Sequence, residues 1–204
     1  MSGSAKTKRA LRPSAVKKTV FLGLTLVLVA LIVFSVTASL SSTVHSSDTR
    51  SPLNQASGVV IGGPMVGKPI PEFTLTAVNS AAQSIELSQF AGHPVVLNFF
   101  ASWCIPCKTE LPEFAAVSKK ELGKVDFVGV DENDTRSGGS SILRRSGVDY
   151  PAAFDGEGQL AQRFHLVGLP TTFFIDSKGR VVALVVGQVS SSMLETNIAK
   201  IISS

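Results

Sequence analysis

Cysteine and histidine are scarce in this chain of 204 residues, which has two cysteines and three histidines. A structural zinc site needs about four ligands, and the three histidines are scattered away from the cysteine pair, so no metal is predicted. Covalent haem attachment would require a histidine directly after the second cysteine, where Lys108 stands. The sequence therefore predicts no cofactor, and any sulfur chemistry must use Cys104 and Cys107.

Acidic residues are absent before Asp48, whereas six of the 19 lysines and arginines lie in the first 18 residues. The rest of the chain carries 13 basic and 15 acidic residues, a net charge of −2. A basic tail over residues 1–18 on a nearly neutral domain is not a nucleic-acid-binding surface. We therefore expect no nucleic-acid partner.

Charge of either sign is also absent from the apolar run that follows the tail, residues 20–36. With its weakly polar flanks, residues 19–40 would form a helix of about 30 Å, long enough to cross a bilayer. The preceding positive residues place the tail in the cytoplasm and the rest of the chain outside. We predict one N-terminal transmembrane helix, a signal-anchor. A cleaved signal peptide is the alternative, because Val36-Thr37-Ala38 fits a cleavage site, although the run exceeds the usual 7–15 residues.

Residues 41–64 are rich in serine, glycine and proline and show no hydrophobic period, so we predict a flexible linker. The folded domain is predicted over residues 65–204. Within it, Val95–Phe100 is a nearly unbroken apolar run, typical of a central strand buried on both faces. A helix is predicted from about Cys104 to Leu122, kinked at Pro112.

The remaining pattern alternates between strands and helices. Short strands at 73–76 and 84–86 predict an N-terminal hairpin, and strands at 172–175 and 181–186 predict a second hairpin. The last helix is predicted to start at Ser192, with Glu195 completing a capping box. Strands and helices in this order predict an α/β fold in which helices flank a central sheet.

The two cysteines lie three residues apart, where the apolar strand ends and the helix begins. A helix N-terminus carries partial positive charge and free amide donors, so it stabilises a thiolate. We predict that Cys104 is exposed at this terminus and attacks a substrate disulfide. Cys107, one turn further and more buried, would resolve the mixed disulfide. A purely structural disulfide is the competing interpretation, but so short a loop constrains the unfolded chain little.

Three segments of the chain resemble the thioredoxin-like proteins of the TlpA/ResA/DsbE type. They are the active-site stretch 98–112, which contains Trp-Cys-Ile-Pro-Cys, the domain start 67–75, and the segment 168–176 with its Gly-Leu-Pro-Thr-Thr sequence. The resemblance covers residues from about 65 to the C-terminus. It implies a thioredoxin-like fold with a central mixed β-sheet flanked by helices, and it implies that Pro170 is a cis proline facing the cysteine pair.

Glu110 is predicted to move protons for the cysteine pair. In cytoplasmic thioredoxins a buried acid stands at the place of Asn98, and an amide cannot titrate. Glu110 lies three residues after Cys107 on the same helix face, and burial would raise its pKa toward neutrality. A solvated carboxylate at a half-exposed helix position is the alternative. Trp103 either packs in the core or shields the disulfide.

The resemblance implies an extracytoplasmic thiol–disulfide oxidoreductase held on the bacterial cell membrane by a single span. Its substrate would be a protein disulfide, that of apocytochrome c in cytochrome c maturation, and its electrons would come from a membrane thiol carrier of the CcdA type. An oxidant or isomerase of secreted proteins, a redoxin-type peroxidase and a binding module with an inert disulfide are the alternatives. The peroxidase would need a Pro-x-x-x-Thr-x-x-Cys stretch, which the sequence lacks. The acidic run 131–134 is interpreted as a solvated loop.

Overall fold

A computed structural model describes residues 58–60 and 63–204. These residues form an eight-stranded mixed sheet in the order β1-β8-β7-β4-β5-β6-β2-β3. The strands are β1 Gly58–Val60, β2 Thr74–Ala77, β3 Ser80–Glu86, β4 Val95–Phe100, β5 Asp126–Glu132, β6 Ala152–Asp155, β7 Thr171–Ile175 and β8 Val181–Gly187. The helices are α1 Ile105–Lys120, α2 Arg136–Ser146, α3 Gln159–Arg163 and α4 Ser191–Ile202, with one 3-10 turn at Leu87–Phe90.

Strand β4 lies at the centre of the sheet, parallel to β5 and antiparallel to β7. All six of its residues are buried, as the apolar run predicts. One face of the strand packs through Leu97 and Phe99 against Phe164 and Phe173. Val96 on the other face packs with α1 and α4, through Phe114 and Leu194 among others. The central strand therefore ends at Phe100 between two packed layers, directly before the cysteine segment.

The two predicted pairs of strands are present. Strand β2 pairs antiparallel with β3, with Thr74 opposite Glu86, and β7 pairs antiparallel with β8. The β7–β8 turn is closed by Gly179, which has φ of +73° and donates its amide to the Asp176 carbonyl at 2.9 Å. A left-handed residue at this position favours glycine, as the sequence suggested.

Helix α1 follows the prediction within two residues and contains Pro112. The prediction for the last helix was wrong at its cap. Helix α4 begins at Ser191, and the Ser190 hydroxyl accepts a hydrogen bond from the Met193 amide at 3.4 Å. The Glu195 carboxylate instead pairs with the Lys120 ammonium at 2.6 Å, because a cation from a packed neighbouring helix is available to it.

Strand β1 lies within residues 41–64, which the sequence predicts to be a linker. Strand β1 pairs antiparallel with β8, with Val59 opposite Val186. Valine has a high strand propensity, and the outer edge of β8 offers unpaired backbone groups. The predicted tail and transmembrane segment, residues 1–40, lie outside the described residues. None of the helices in the described part of the chain is both long enough and apolar enough to cross a bilayer.

Candidate active site

The two cysteines form a disulfide at the N-terminus of α1. Cys104 is the N-cap residue of the helix, and the Cα atoms of Cys104 and Cys107 are 5.3 Å apart. The Cys107 amide donates to the Cys104 sulfur at 3.3 Å. Pro106 occupies the first turn, where its missing amide donor costs no helical hydrogen bond. The free amide end of the helix therefore points at the first sulfur, as the spacing predicted.

The prediction that Cys104 is exposed was wrong for this disulfide state. Cys104 is 4% exposed and Cys107 is fully buried. The pair packs in a cluster with Ala101, Leu111 and the half-buried Leu169. The predicted order of burial nevertheless holds, since Cys107 is the less accessible of the two.

Glu110 is fully buried, not half-exposed as the sequence suggested. One of its carboxyl oxygens accepts from Asn98 Nδ2 at 3.0 Å, and the other accepts from the Val189 amide at 2.9 Å. Burial raises the pKa of the Glu110 carboxyl from 4.5 to about 8, although these two hydrogen bonds oppose the shift. Burial therefore favours the protonated form of the Glu110 carboxyl group at neutral pH.

Asn98 on β4 links Glu110 to β7, the strand within the segment 168–176. Its Nδ2 also donates to the Thr172 hydroxyl at 3.1 Å. The strand position that holds an acid in cytoplasmic thioredoxins is thus occupied by Asn98. The Asn98 amide contacts the carboxyl group of Glu110 on α1. The titratable group is displaced from the strand to the helix, one turn beyond Cys107.

The Leu169–Pro170 peptide bond is cis, as the resemblance implies. The Pro170 carbonyl accepts from the Gly187 amide at 2.8 Å, which ties the start of β7 to the end of β8. Leu169, directly before it, packs on the cluster that contains both cysteines. The cis proline segment is thereby connected to the disulfide through Leu169.

Trp103 is not a core residue, because 55% of it is exposed. Its indole nitrogen donates to the Asn133 carbonyl at 3.0 Å. Trp103 and Leu169 line an open groove of about 450 Å³, together with the exposed Val167 and two glutamates, Glu132 and Glu157. A groove lined by both apolar and polar residues therefore reaches the cysteine turn at Trp103.

The loop after β5 contributes residues that the sequence interpretation missed. Asp131, assigned there to a solvated loop, is a fully buried residue of β5. The Asp134 carboxylate accepts a hydrogen bond from the Ser102 amide at 2.5 Å. Ser102 lies two residues before Cys104. The sequence did contain a signal for this burial, namely an aspartate at the end of a strand followed by the pair Gly138-Gly139. Only glycine at these positions lets α2 approach Asp131 and Asp134 so closely.

A mixed sheet, a helix that begins at a Cys-x-x-Cys disulfide and a cis proline beside it define a thioredoxin-like thiol–disulfide protein. A family model described as Redoxin matches residues 65–202. The thiol-disulfide oxidoreductase ResA of Bacillus subtilis is 35% identical over 130 residues, which are 63% of this chain and 71% of that protein. ResA of Bacillus thuringiensis is 31% identical over 137 residues, 67% of this chain and 78% of that protein.

Among solved structures, the thiol:disulfide interchange protein DsbE of Chlorobium tepidum is similar with a TM-score of 0.60 and 28% identity. That match covers 66% of this chain and 95% of the other. The chain therefore belongs to the redoxin family, among its thioredoxin-like members of the TlpA/ResA/DsbE type, and is a thiol–disulfide oxidoreductase.

Proposed function

We propose that the protein is an extracytoplasmic reductase of protein disulfides that serves cytochrome c maturation. The observation that carries the reductase is the buried Glu110 carboxyl one helical turn after Cys107. A reductase must deprotonate its resolving thiol, and a buried carboxyl group with a pKa near the working pH suits that task.

In the proposed cycle the Cys104 thiolate attacks a substrate disulfide, which forms a mixed disulfide and expels the first substrate thiolate. Cys107 then gives its proton to Glu110 and attacks the Cys104 sulfur. The second substrate thiolate leaves, and the Cys104–Cys107 disulfide forms. Two electrons have moved to the substrate. The disulfide is the state expected at the end of this sequence, and burial of Glu110 favours the protonated carboxyl group that this state requires.

Re-reduction runs the same steps in reverse. A thiolate of the electron donor attacks the Cys104 sulfur, and the Cys107 thiolate that leaves is protonated from Glu110. Outside the cytoplasm we expect the donor to be a membrane thiol carrier of the CcdA type. Residues 1–18 would then lie in the cytoplasm and residues 19–40 would anchor the chain beside that carrier.

The groove beside the disulfide supports an extended protein segment as the substrate. Trp103 and Val167 are large exposed apolar side chains, and an exposed patch of this kind marks an interaction surface. Glu132 and Glu157, which also line the groove, favour a segment with positive charge. We propose that the apocytochrome disulfide approaches Cys104 along this groove.

The deciding experiment is the reduction potential of the Cys104–Cys107 pair in the full-length chain, equilibrated with glutathione buffers. A value near that of thioredoxin, roughly −270 mV, supports the reductase, whereas a value near −120 mV identifies an oxidant of secreted proteins. The substrate is tested with the Cys107→Ser variant and an oxidised Cys-x-x-Cys-His peptide. A matched disulfide peptide without the histidine is the control, and equal trapping of both peptides would contradict the role in cytochrome c maturation.

A further inference from the structure

Asp131 is a buried carboxyl group that the proposed cycle does not use. It is 0% exposed, and neither of its carboxyl oxygens has a donor among the residues that the structure describes. The first turn of α2 packs directly on it, since a Cβ atom at Gly139 would overlap the Asp131 Oδ2 atom. An ionised carboxylate without a donor in such a place is strongly unfavourable.

Asp134 is the group that Asp131 faces, and its environment is the opposite. Its carboxylate accepts from the Ser102 amide at 2.5 Å and from the Thr135 amide at 2.6 Å. Burial alone would raise the pKa of Asp134, but the Ser102 and Thr135 donors lower it below the ordinary value. Burial and the adjacent Asp134 charge raise the pKa of Asp131 to about 8. These environments favour the neutral form of Asp131 and the ionised form of Asp134 at neutral pH.

The other charged groups near Asp131 and Asp134 do not cancel the negative charge of these two residues. Glu132 adds negative charge. Arg136 attracts the Asp131 charge, but its guanidinium donates to the Ala77 carbonyl and the Thr76 hydroxyl and lies 4.2 Å from the centre of the Phe154 ring. The N-terminus of α2 supports one negative charge, not two.

We propose that Asp131 and Asp134 share one proton and that this pair is a positioning device for the cysteine turn. The Asp131 carboxylic acid donates to Asp134, and Asp134 fixes the Ser102 amide two residues before Cys104. The Trp103 indole, held by the Asn133 carbonyl, is the second attachment of the turn to the same loop. Both aspartates are positioning residues, because neither touches a reacting sulfur.

The first turn of α2 packs tightly against Ser102 and Asp134. A Cβ atom at Gly138 would lie 2.5 Å from the Ser102 hydroxyl oxygen and 2.7 Å from Asp134 Oδ1. Loss of the shared proton would place two facing carboxylates under the first turn of α2. Their repulsion would weaken the hold on Ser102 and misplace the Cys104 sulfur.

The test compares Asp131→Asn with the wild-type full-length chain in single-turnover reduction of an oxidised peptide from pH 6 to pH 10. The amide keeps a donor toward Asp134 but cannot ionise. The ratio of the variant rate to the wild-type rate should be near one at pH 6.5 and rise to about tenfold above pH 9, where misplacement slows the wild type. Titration of the cysteines and of Glu110 is common to both proteins and cancels in the ratio.

Asp176→Asn is the matched control. Asp176 is also buried and accepts two backbone amides, but it follows β7 at the end of the sheet away from Cys104. Its rate ratio should not vary with pH. A pH-independent ratio for Asp131→Asn would overturn the proposal.

A second measurement is independent of the proposed role of Cys104. In the Glu110→Gln background, infrared spectroscopy at pH 7 should show one buried carboxylic acid band, which disappears on adding Asp131→Asn. Absence of that band in the single variant would show that no proton is shared, whatever the kinetics give. Presence of the band with a flat rate ratio would establish the proton and refute its positioning role.

Discussion

Replacing Glu110 by glutamine should reverse the order of stability of the two proteins as the pH rises. The folded state holds the Glu110 proton up to about pH 8, whereas the unfolded chain releases it near pH 4.5. The wild type therefore loses stability as the pH rises from about 4.5 to about 8, and its stability levels off above that. At about 1.4 kcal/mol per pH unit, the loss approaches about 5 kcal/mol as an upper bound.

The glutamine variant does not lose stability in this way as the pH rises, but the substitution lowers its stability by an amount that does not depend on pH. The Glu110 carboxyl group accepts hydrogen bonds from both Asn98 and Val189. A glutamine side chain offers only one acceptor oxygen, so its NH2 group would face one of these two N–H donors. A buried unsatisfied donor costs about 1–3 kcal/mol. The variant should therefore be less stable by about that amount at pH 5, and more stable by about 2–4 kcal/mol above pH 9.

The assay is reversible denaturant unfolding of the oxidised full-length chain, in mild detergent, at half-unit steps from pH 5 to pH 9.5. Asp131 titrates in both proteins, so only the difference between their free energies of unfolding is interpreted. Glu195→Gln is the control, because that helix glutamate is exposed and pairs with Lys120 instead. A difference that stays constant across the pH range would refute the assignment of a buried, protonated Glu110. In kinetics, Glu110→Gln should slow the resolving step by up to about 10²–10⁴-fold.

Three further outcomes are expected. Cys104→Ser should abolish disulfide reduction, whereas Cys107→Ser should accumulate a mixed disulfide visible on non-reducing gels; recovery of trapped substrate from the first variant would reverse the two roles. A periplasm-type reporter fused to the C-terminus should be active, and activity should be lost when residues 19–40 are deleted. Gly139→Ala should lower stability by about 1–3 kcal/mol through overpacking, whereas Gly168→Ala, with open space at its Cβ position, should be nearly neutral.

The parts of the fold that follow from local pattern were predictable. The five apolar residues of β4, interrupted only by Asn98, predict a strand buried on both faces, and the cysteine pair after it predicts the start of α1. The β7–β8 turn carried its own glycine signal. These elements are specified by residues that are neighbours in the sequence, so a sequence pattern is enough to find them.

The residues that were misjudged depend on partners far along the chain. Glu110 is buried because Val189, 79 residues later, closes over it. Glu195 takes no part in the helix cap, because its carboxylate pairs with Lys120, 75 residues away in the sequence. Asp131 sits in an acidic run that composition assigns to solvent, yet α2 packs on it through Gly139. Burial of a polar residue is decided by tertiary packing, and no local period reports it.

The near-complete burial of both cysteines has a consequence for which thiols the protein can exchange with. Exchange rates depend on access to the sulfur that is attacked, and only 4% of Cys104 is exposed. A free small thiol must find that opening by random collision, whereas a thiol carried on a docked segment is held in place for attack. Exchange with small thiols should therefore be slower than exchange with a thiol on a docked protein, although it still reaches equilibrium when given time. If substrates dock beside Trp103 as proposed, the redox state of the pair should follow the proteins that bind there more closely than the pool of small thiols.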